Sequence, residues 1–294
     1  MTKIEGDGMA DFLSLADSTI SYEVCGNGPP VLFLHGYPTN RTIWSPIVEN
    51  LSTRFTCVLP DLRGYGQSIV HGIDEISNFA KSEMAKDQVS LMEYLGFNDF
   101  SVVGHDRGAR VAYRLALEYS NKVNSLVVMD IIPTYDLIQR FDWEASLGAF
   151  HWSFCAADDG WPKLMISNSA KDFLNRTIKA WTGENFEWEA GMVSSFENDF
   201  SKISVIRATC QDFRCLATIN FGEDQSIVAS GRKIDCPTMI LWGESSFGEK
   251  ESSPLDIWKK WCKNVTGHKV DSGHFLQVEN PNSCTRHIVQ FLPQ

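Results

Sequence analysis

The stretch Gly104-His105-Asp106-Arg107-Gly108 sets a carboxylate between two glycines, each two positions away, directly after the apolar run 100–103. A strand that turns sharply into a helix exposes the side chain at the apex, and only small neighbours avoid collision there. The pattern therefore describes an elbow presenting Asp106. No Gly-x-Ser-x-Gly occurs in the chain. A carboxylate attacks amides and ordinary esters poorly, because the anhydride formed is less stable than the starting material. Against an sp3 carbon bearing a leaving group it forms an alkyl ester that water can cleave. The simpler alternative is that Asp106 caps the helix beginning at Arg107, a favoured role for Asp.

An ester on Asp106 needs a base to activate water, and elbows of this kind work with a His in the loop after the last strand. Ser272-Gly273-His274-Phe275 occupies that place, which selects His274. His268 precedes the strand and His287 falls in the last helical pattern, so both read as surface or packing residues. The base needs a carboxylate to hold its tautomer. Asp130, flanked by apolar residues at the end of the run 125–131, is the first choice, and Glu244, after the strand ending at Trp242, is the fallback. His35-Gly36-Tyr37-Pro38 follows another apolar run; its loop and the residue after the nucleophile supply backbone N–H groups to a developing oxyanion, which makes Tyr37 and Arg107 the donors.

These residues must be positioned by alternating elements. Apolar runs predict strands near 19–25, 31–35, 55–59, 100–103, 125–131, 238–242 and 269–271, and amphipathic patterns predict helices over 77–95, 107–119, 255–262 and 283–291. That alternation implies βαβ units around a mostly parallel sheet. From Pro133 to about Arg232 the strand signal fades while five of the nine tryptophans gather there, so a helical insertion is expected. The expected organisation is a core of residues 1–132 and 233–294 with a cap over 133–232.

Composition narrows the partners. The 37 acidic residues against 26 basic ones, a net charge of −11, supply no basic footprint for nucleic acid. No stretch approaches the roughly 20 apolar residues that span a bilayer, and the amino-terminal MTKIEGDGMADFL lacks the pattern of a secretory leader, so a soluble, cytoplasmic protein is expected. The eight cysteines form no CxxC pair and read as free, buried thiols rather than as a metal site.

HGYP (35–38), PDLRGYGQS (60–68), GHDRGAR (104–110), DIIPTYD (130–136), HWSF (151–154), PLDIWKKW (254–261) and SGHFL (272–276) together resemble the fluoroacetate (haloacetate) dehalogenases of the α/β-hydrolase fold, from about residue 20 onward. The resemblance implies a mostly parallel sheet flanked by helices with an inserted helical cap, the triad Asp106, His274 and Asp130, and no cofactor or metal. It further implies that Arg107 and Arg110 grip the carboxylate of a small anionic haloacid, a task suited to bidentate guanidinium groups. His151 and Trp152 match the donors that meet the departing halide, and Trp181 matches a cap aromatic lining the pocket. Lining up CQDFRCLATINF (210–221) with the family's cap segment puts Thr218 where a third donor, a tyrosine, is expected, a departure that bears on fluoride in particular. A homodimer is expected on the same ground.

The leading expectation is hydrolysis of a 2-haloacid such as fluoroacetate or chloroacetate to glycolate and halide. The alternative is an epoxide hydrolase using the same triad. Those enzymes protonate the epoxide with cap tyrosines, whereas only Tyr135 of the seven tyrosines falls in the insertion. Haloalkane substrates fit less well, because their usual enzymes carry a tryptophan where Arg107 stands. A non-enzymatic receptor on a hydrolase fold would have no need of an intact nucleophile, base and orienter.

Overall fold

The computed structural model describes residues 10–157, 160–247 and 253–293. Its nine-stranded sheet comprises β1 (Asp11–Ser14), β2 (Ser18–Cys25), β3 (Pro30–Leu34), β4 (Thr56–Pro60), β5 (Ile69–Val70), β6 (Phe100–His105), β7 (Val123–Met129), β8 (Thr238–Gly243) and β9 (Val265–Val270). The order is β1-β2-β4-β3-β6-β7-β8-β9, with β5 paired to β2. Along the order β4-β3-β6-β7-β8-β9 every pairing is parallel, and the three antiparallel ladders are those that β2 makes with β1, β4 and β5. Strands β3, β6 and β7 are apolar and almost wholly buried, as central parallel strands covered on both faces must be. The fold is α/β, a mostly parallel sheet flanked by helices.

The expected strands are all present, and the largest difference is β9, which begins four residues before the expected 269. Its exposed positions alternate with partly buried ones, so no continuous apolar run marks its start. The short edge strands β1 and β5 and the helix Ser45–Leu51 lack such a run and carry no expectation. The amphipathic pattern over 77–95 resolves into a 3-10 turn, Ile76–Phe79, and the helix Lys81–Tyr94. Between β7 and β8 the described residues form helices and no strand, from Thr134–Gln139 to Phe221–Ser230, with a π-helical turn at Leu216–Asn220. Among the described residues no helix is long and apolar enough to cross a membrane. Of the eight cysteines, Cys25 and Cys236 are half-buried and the others buried.

How the inserted helices attach follows from one face of the helix Arg107–Glu118. Arg107, Arg110 and Arg114 recur at helical spacing on that face, and all three are buried, at 1%, 2% and 2% exposure. A buried guanidinium is costly unless it is paired. Arg107 donates from Nε to Asp212 Oδ2 at 2.7 Å and from Nη2 to the Asp212 carbonyl at 2.8 Å. Arg114 donates from Nη2 to Asp224 Oδ1 at 2.5 Å. Asp212 and Asp224 come from the inserted helices Ile203–Cys215 and Phe221–Ser230. Asp212 also accepts from Tyr65 Oη at 2.8 Å and Lys81 Nζ at 2.6 Å, and Asp224 from Tyr113 Oη at 2.8 Å. Burial pulls the Lys81 ammonium down to about 8 despite its contact with Asp212.

Asp212 thus neutralises two buried cations across the junction, and removing its charge strands both. Asp212→Asn is expected to destabilise the protein by about 3–5 kcal/mol, read as a lowered midpoint in urea unfolding. An unchanged midpoint would show that the two cations find other partners.

Candidate active site

Asp106 sits between β6 and the helix Arg107–Glu118 with φ 49° and ψ −117°, a left-handed conformation that L-residues seldom adopt. The backbone reaches it because its neighbours are bare. A Cβ on Gly108 would lie 2.1 Å from the Leu34 carbonyl oxygen, one on Gly104 2.7 Å from Ala109 Cα, and one on Gly36 2.5 Å from Asp106 Cβ. The Asp106 carboxylate makes no capping hydrogen bond to the helix it precedes, so the capping alternative does not describe it. Its Oδ1 instead accepts from the Tyr37 backbone N–H at 2.8 Å. That leaves Oδ2 facing His274, whose Nε2 is 3.8 Å away.

The other ring nitrogen of His274, Nδ1, lies 2.5 Å from Asp130 Oδ2. Asp130 Oδ1 accepts from the Gly243 N–H at 2.8 Å, and Oδ2 accepts from the Ser246 hydroxyl at 2.6 Å. The carboxylate is therefore saturated with donors and fixed in orientation. Glu244, the fallback, is half-exposed and pairs with Lys269 at the surface, leaving Asp130 as the partner of the base. His268 and His287 stack on each other, with ring centroids 4.3 Å apart, and neither lines the cavity.

Charges at the site fall into place from burial and neighbours. Burial pushes against ionisation of Asp106, but His274, His105, Arg107 and the Tyr37 N–H outweigh it and hold the carboxyl below its usual range. It is a carboxylate, the nucleophilic form, at neutral pH. Burial likewise opposes protonation of His274, while the hydrogen bond and charge of Asp130, with Asp106 adding to them, raise it above the ordinary imidazole value. His105 and His151 are pulled down to about 3, chiefly by burial, and are neutral.

A cavity of about 940 Å3 opens onto these groups, and Asp106, Arg110, His151, Trp152, Trp181 and His274 all line it. The two expected arginines part company. Arg107 is fastened to Asp212 and its charge is matched there, although its Nη1 keeps no partner. Arg110 lines the cavity, and its hydrogen bonds go to neutral acceptors, the Thr134 hydroxyl at 2.8 Å and the Ile132 carbonyl at 3.3 Å. Its Nε has no partner, and its guanidinium carbon lies 5.3 Å from the centroid of the Trp152 ring.

Thr218 requires a correction. It lies in the π-helical turn, exposed, with its hydroxyl bonded to the backbone carbonyls of Arg214 and Cys215, and it does not reach the cavity. The residue that this part of the chain presents to His151 is Phe213, with ring centroids 5.5 Å apart. Phe213 also packs against Tyr37 at 5.0 Å and under the Arg107 guanidinium at 4.6 Å, and it carries no hydroxyl. Phe213 lies on the helix Ile203–Cys215, ahead of the π turn that carries Thr218. Sequence reading also passed over Asp212, Ser246 and His105. The last donates from Nε2 to the His274 carbonyl at 2.7 Å, and its place beside the nucleophile was the available signal.

A model of the α/β-hydrolase fold matches residues 29–281. The chain belongs to the α/β-hydrolase fold family. It is 30% identical to a fluoroacetate dehalogenase of a Burkholderia species over 95% of its own length and 92% of that protein's. It is 29% identical to a soluble epoxide hydrolase of a Corynebacterium species, strain C12, over 88% of each. Among solved structures, ALR0039 from Nostoc sp PCC 7120 superposes with a TM-score of 0.92 at 34% identity, covering 97% of this chain and 98% of that one.

This α/β-hydrolase should report its electrostatics directly. The His274 ring, followed by 15N NMR, is expected to titrate with a midpoint above the ordinary value of about 6.5. Removing a carboxylate that favours the charged ring must lower that midpoint, so it should fall in Asp106→Asn and fall further in Asp130→Asn. An unshifted midpoint in Asp130→Asn would break the assignment of the pair.

Proposed function

We propose that the protein hydrolyses a short 2-haloacid, such as chloroacetate or fluoroacetate, to the 2-hydroxy acid and halide. The observation that carries the reading is Arg110, a buried guanidinium lining the cavity beside the nucleophile and hydrogen-bonded to neutral acceptors alone. A neutral substrate would leave that charge buried and unmatched, whereas a carboxylate would supply its missing partner. Arg107, tied to Asp212 and absent from the cavity lining, leaves this task to Arg110.

With the carboxylate so held, Asp106 Oδ2 attacks C2. The new O–C bond forms as the carbon–halogen bond breaks, and the bonding pair leaves with the halide. His151, neutral and buried against Tyr37 and Trp181, has one ring N–H to offer that halide, and the Trp152 indole has another. His274 Nε2 then takes a proton from water, whose oxygen attacks Cγ of the ester. The charge gathers on Oδ1, the atom that already holds the Tyr37 N–H, with the first N–H of the helix at Arg107 as the second donor. Collapse breaks the Cγ–Oδ2 bond, the product oxygen recovers the proton from His274, and Asp106 is restored.

The identity to a soluble epoxide hydrolase favours a second reading, in which Oδ2 opens an epoxide on the same triad. That chemistry needs an acid for the epoxide oxygen, and no tyrosine lines the cavity among the described residues.

The test is halide release from chloroacetate and fluoroacetate beside diol formation from a small epoxide such as styrene oxide. Haloacid turnover should dominate. Asp106→Ala should abolish it, and Arg110→Met should raise KM for the haloacid by about 10²-fold or more, a charge-assisted pair being lost. In 18O water a single turnover should label Asp106 and leave the product unlabelled. Preferential epoxide hydrolysis, unaffected by Arg110→Met, would favour the second reading instead.

A further inference from the structure

Glu279 closes the short helix Leu276–Glu279 behind the base, and nothing in the chemistry above uses it. Its Oε2 accepts from the backbone N–H of Gly273 at 2.8 Å and of Gly183 at 2.7 Å, and its Oε1 from that of Phe275 at 2.8 Å. The N–H between them, that of His274, goes to the Trp181 carbonyl at 2.8 Å. Three consecutive amides around the base are thus fixed, two by Glu279 and one by the inserted segment that Glu279 also holds.

The backbones meet with no room between them. A Cβ on Gly273 would stand 2.5 Å from Gly183 N and 2.6 Å from the Trp181 carbonyl oxygen, and one on Gly243 2.0 Å from the Gly273 carbonyl oxygen. Gly243 is the residue whose N–H orients Asp130. The end of β8, the loop of the base and the segment 181–183 therefore form three layers of closely packed backbone, with the Glu279 carboxylate as the acceptor joining the loop of the base to the segment 181–183.

We infer that Glu279 is a positioning residue for the water-activating step, holding the His274 loop in register with the inserted helices so that Nε2 addresses the ester on Asp106. Its role there rests on the haloacid reading. A glutamine at this position has a single carbonyl oxygen and turns an NH2 group toward at least one of the three donors, so one or two bonds must fail. Attack by Asp106 Oδ2 does not use His274, and ester hydrolysis does. The loss therefore falls on the second step.

The experiment compares wild type, Glu279→Gln, Glu279→Asp and His274→Ala with chloroacetate by rapid quench, following halide release and, by mass spectrometry, the ester on Asp106. In Glu279→Gln the halide burst is expected to keep its rate while ester hydrolysis slows by about ten- to a hundredfold. The adduct should then accumulate, as it does fully in His274→Ala, and Glu279→Asp should recover part of the rate. Equal slowing of both steps, or of neither, overturns the inference. Amide hydrogen exchange at Gly183, Gly273 and Phe275 needs no substrate: it should quicken in Glu279→Gln, and unchanged protection also overturns it. Absence of any adduct in His274→Ala would count against the haloacid reading, with the exchange data still judging Glu279.

Discussion

Three guanidinium groups buried on one helix face set the terms for the rest of this molecule. The side chains at 107, 110 and 114 are each at most 2% exposed, and an unmatched charge so buried costs several kcal/mol. The outer two are matched by Asp212 and Asp224, both carried by the inserted helices. The cap is accordingly part of what makes the core helix tolerable, and the core helix is what orients the cap. The middle arginine faces the cavity with neutral partners. Its two neighbours are matched by protein carboxylates, which is why the proposed substrate anion is assigned to the middle position.

The elbow resolves a second conflict, between a strained backbone and a precise pose. Asp106 holds a left-handed conformation because the central parallel strands β3, β6 and β7 fix both sides of the turn and because Gly36, Gly104 and Gly108 remove every Cβ that would collide. The two carboxylate oxygens then cease to be equivalent. One is held by a backbone N–H, where the proposed second step would gather charge, and the other is left for the proposed attack. This division is present before any substrate arrives, which is how electrostatic preorganisation lowers a barrier without reorganising at the moment of reaction.

Much of this was legible in the residues. The glycine bracket around Asp106, the apolar run into Asp130 and the position of His274 after the last strand are local patterns, and each reflects a steric or chemical demand visible within a few positions. The buried strands were legible for the same reason. What escaped was set by distance in the chain. Asp212 reaches Arg107 across 105 positions, and Glu279 reaches Gly183 across 96; neither pairing leaves a trace in local periodicity. Thr218 was placed by lining up sequence segments, which does not show which side chain of this stretch turns toward His151; in the fold that side chain is Phe213. The resemblance placed two arginines on the substrate, and only the fold shows that one of them is already engaged.

The two steps of the proposed reaction are linked through charge. In the resting site His274 faces two carboxylates, and both favour its protonated form. In the proposed reaction, esterification of Asp106 removes one of those negative charges while Asp130 keeps its hold on Nδ1 and on the tautomer. The proton affinity of Nε2 drops toward neutrality of the ring at the stage when a neutral base is required. Formation of the intermediate thus prepares the group that destroys it, and the orienting aspartate, the glycine-to-glycine packing and the glutamate behind the loop keep that group aimed while its charge changes.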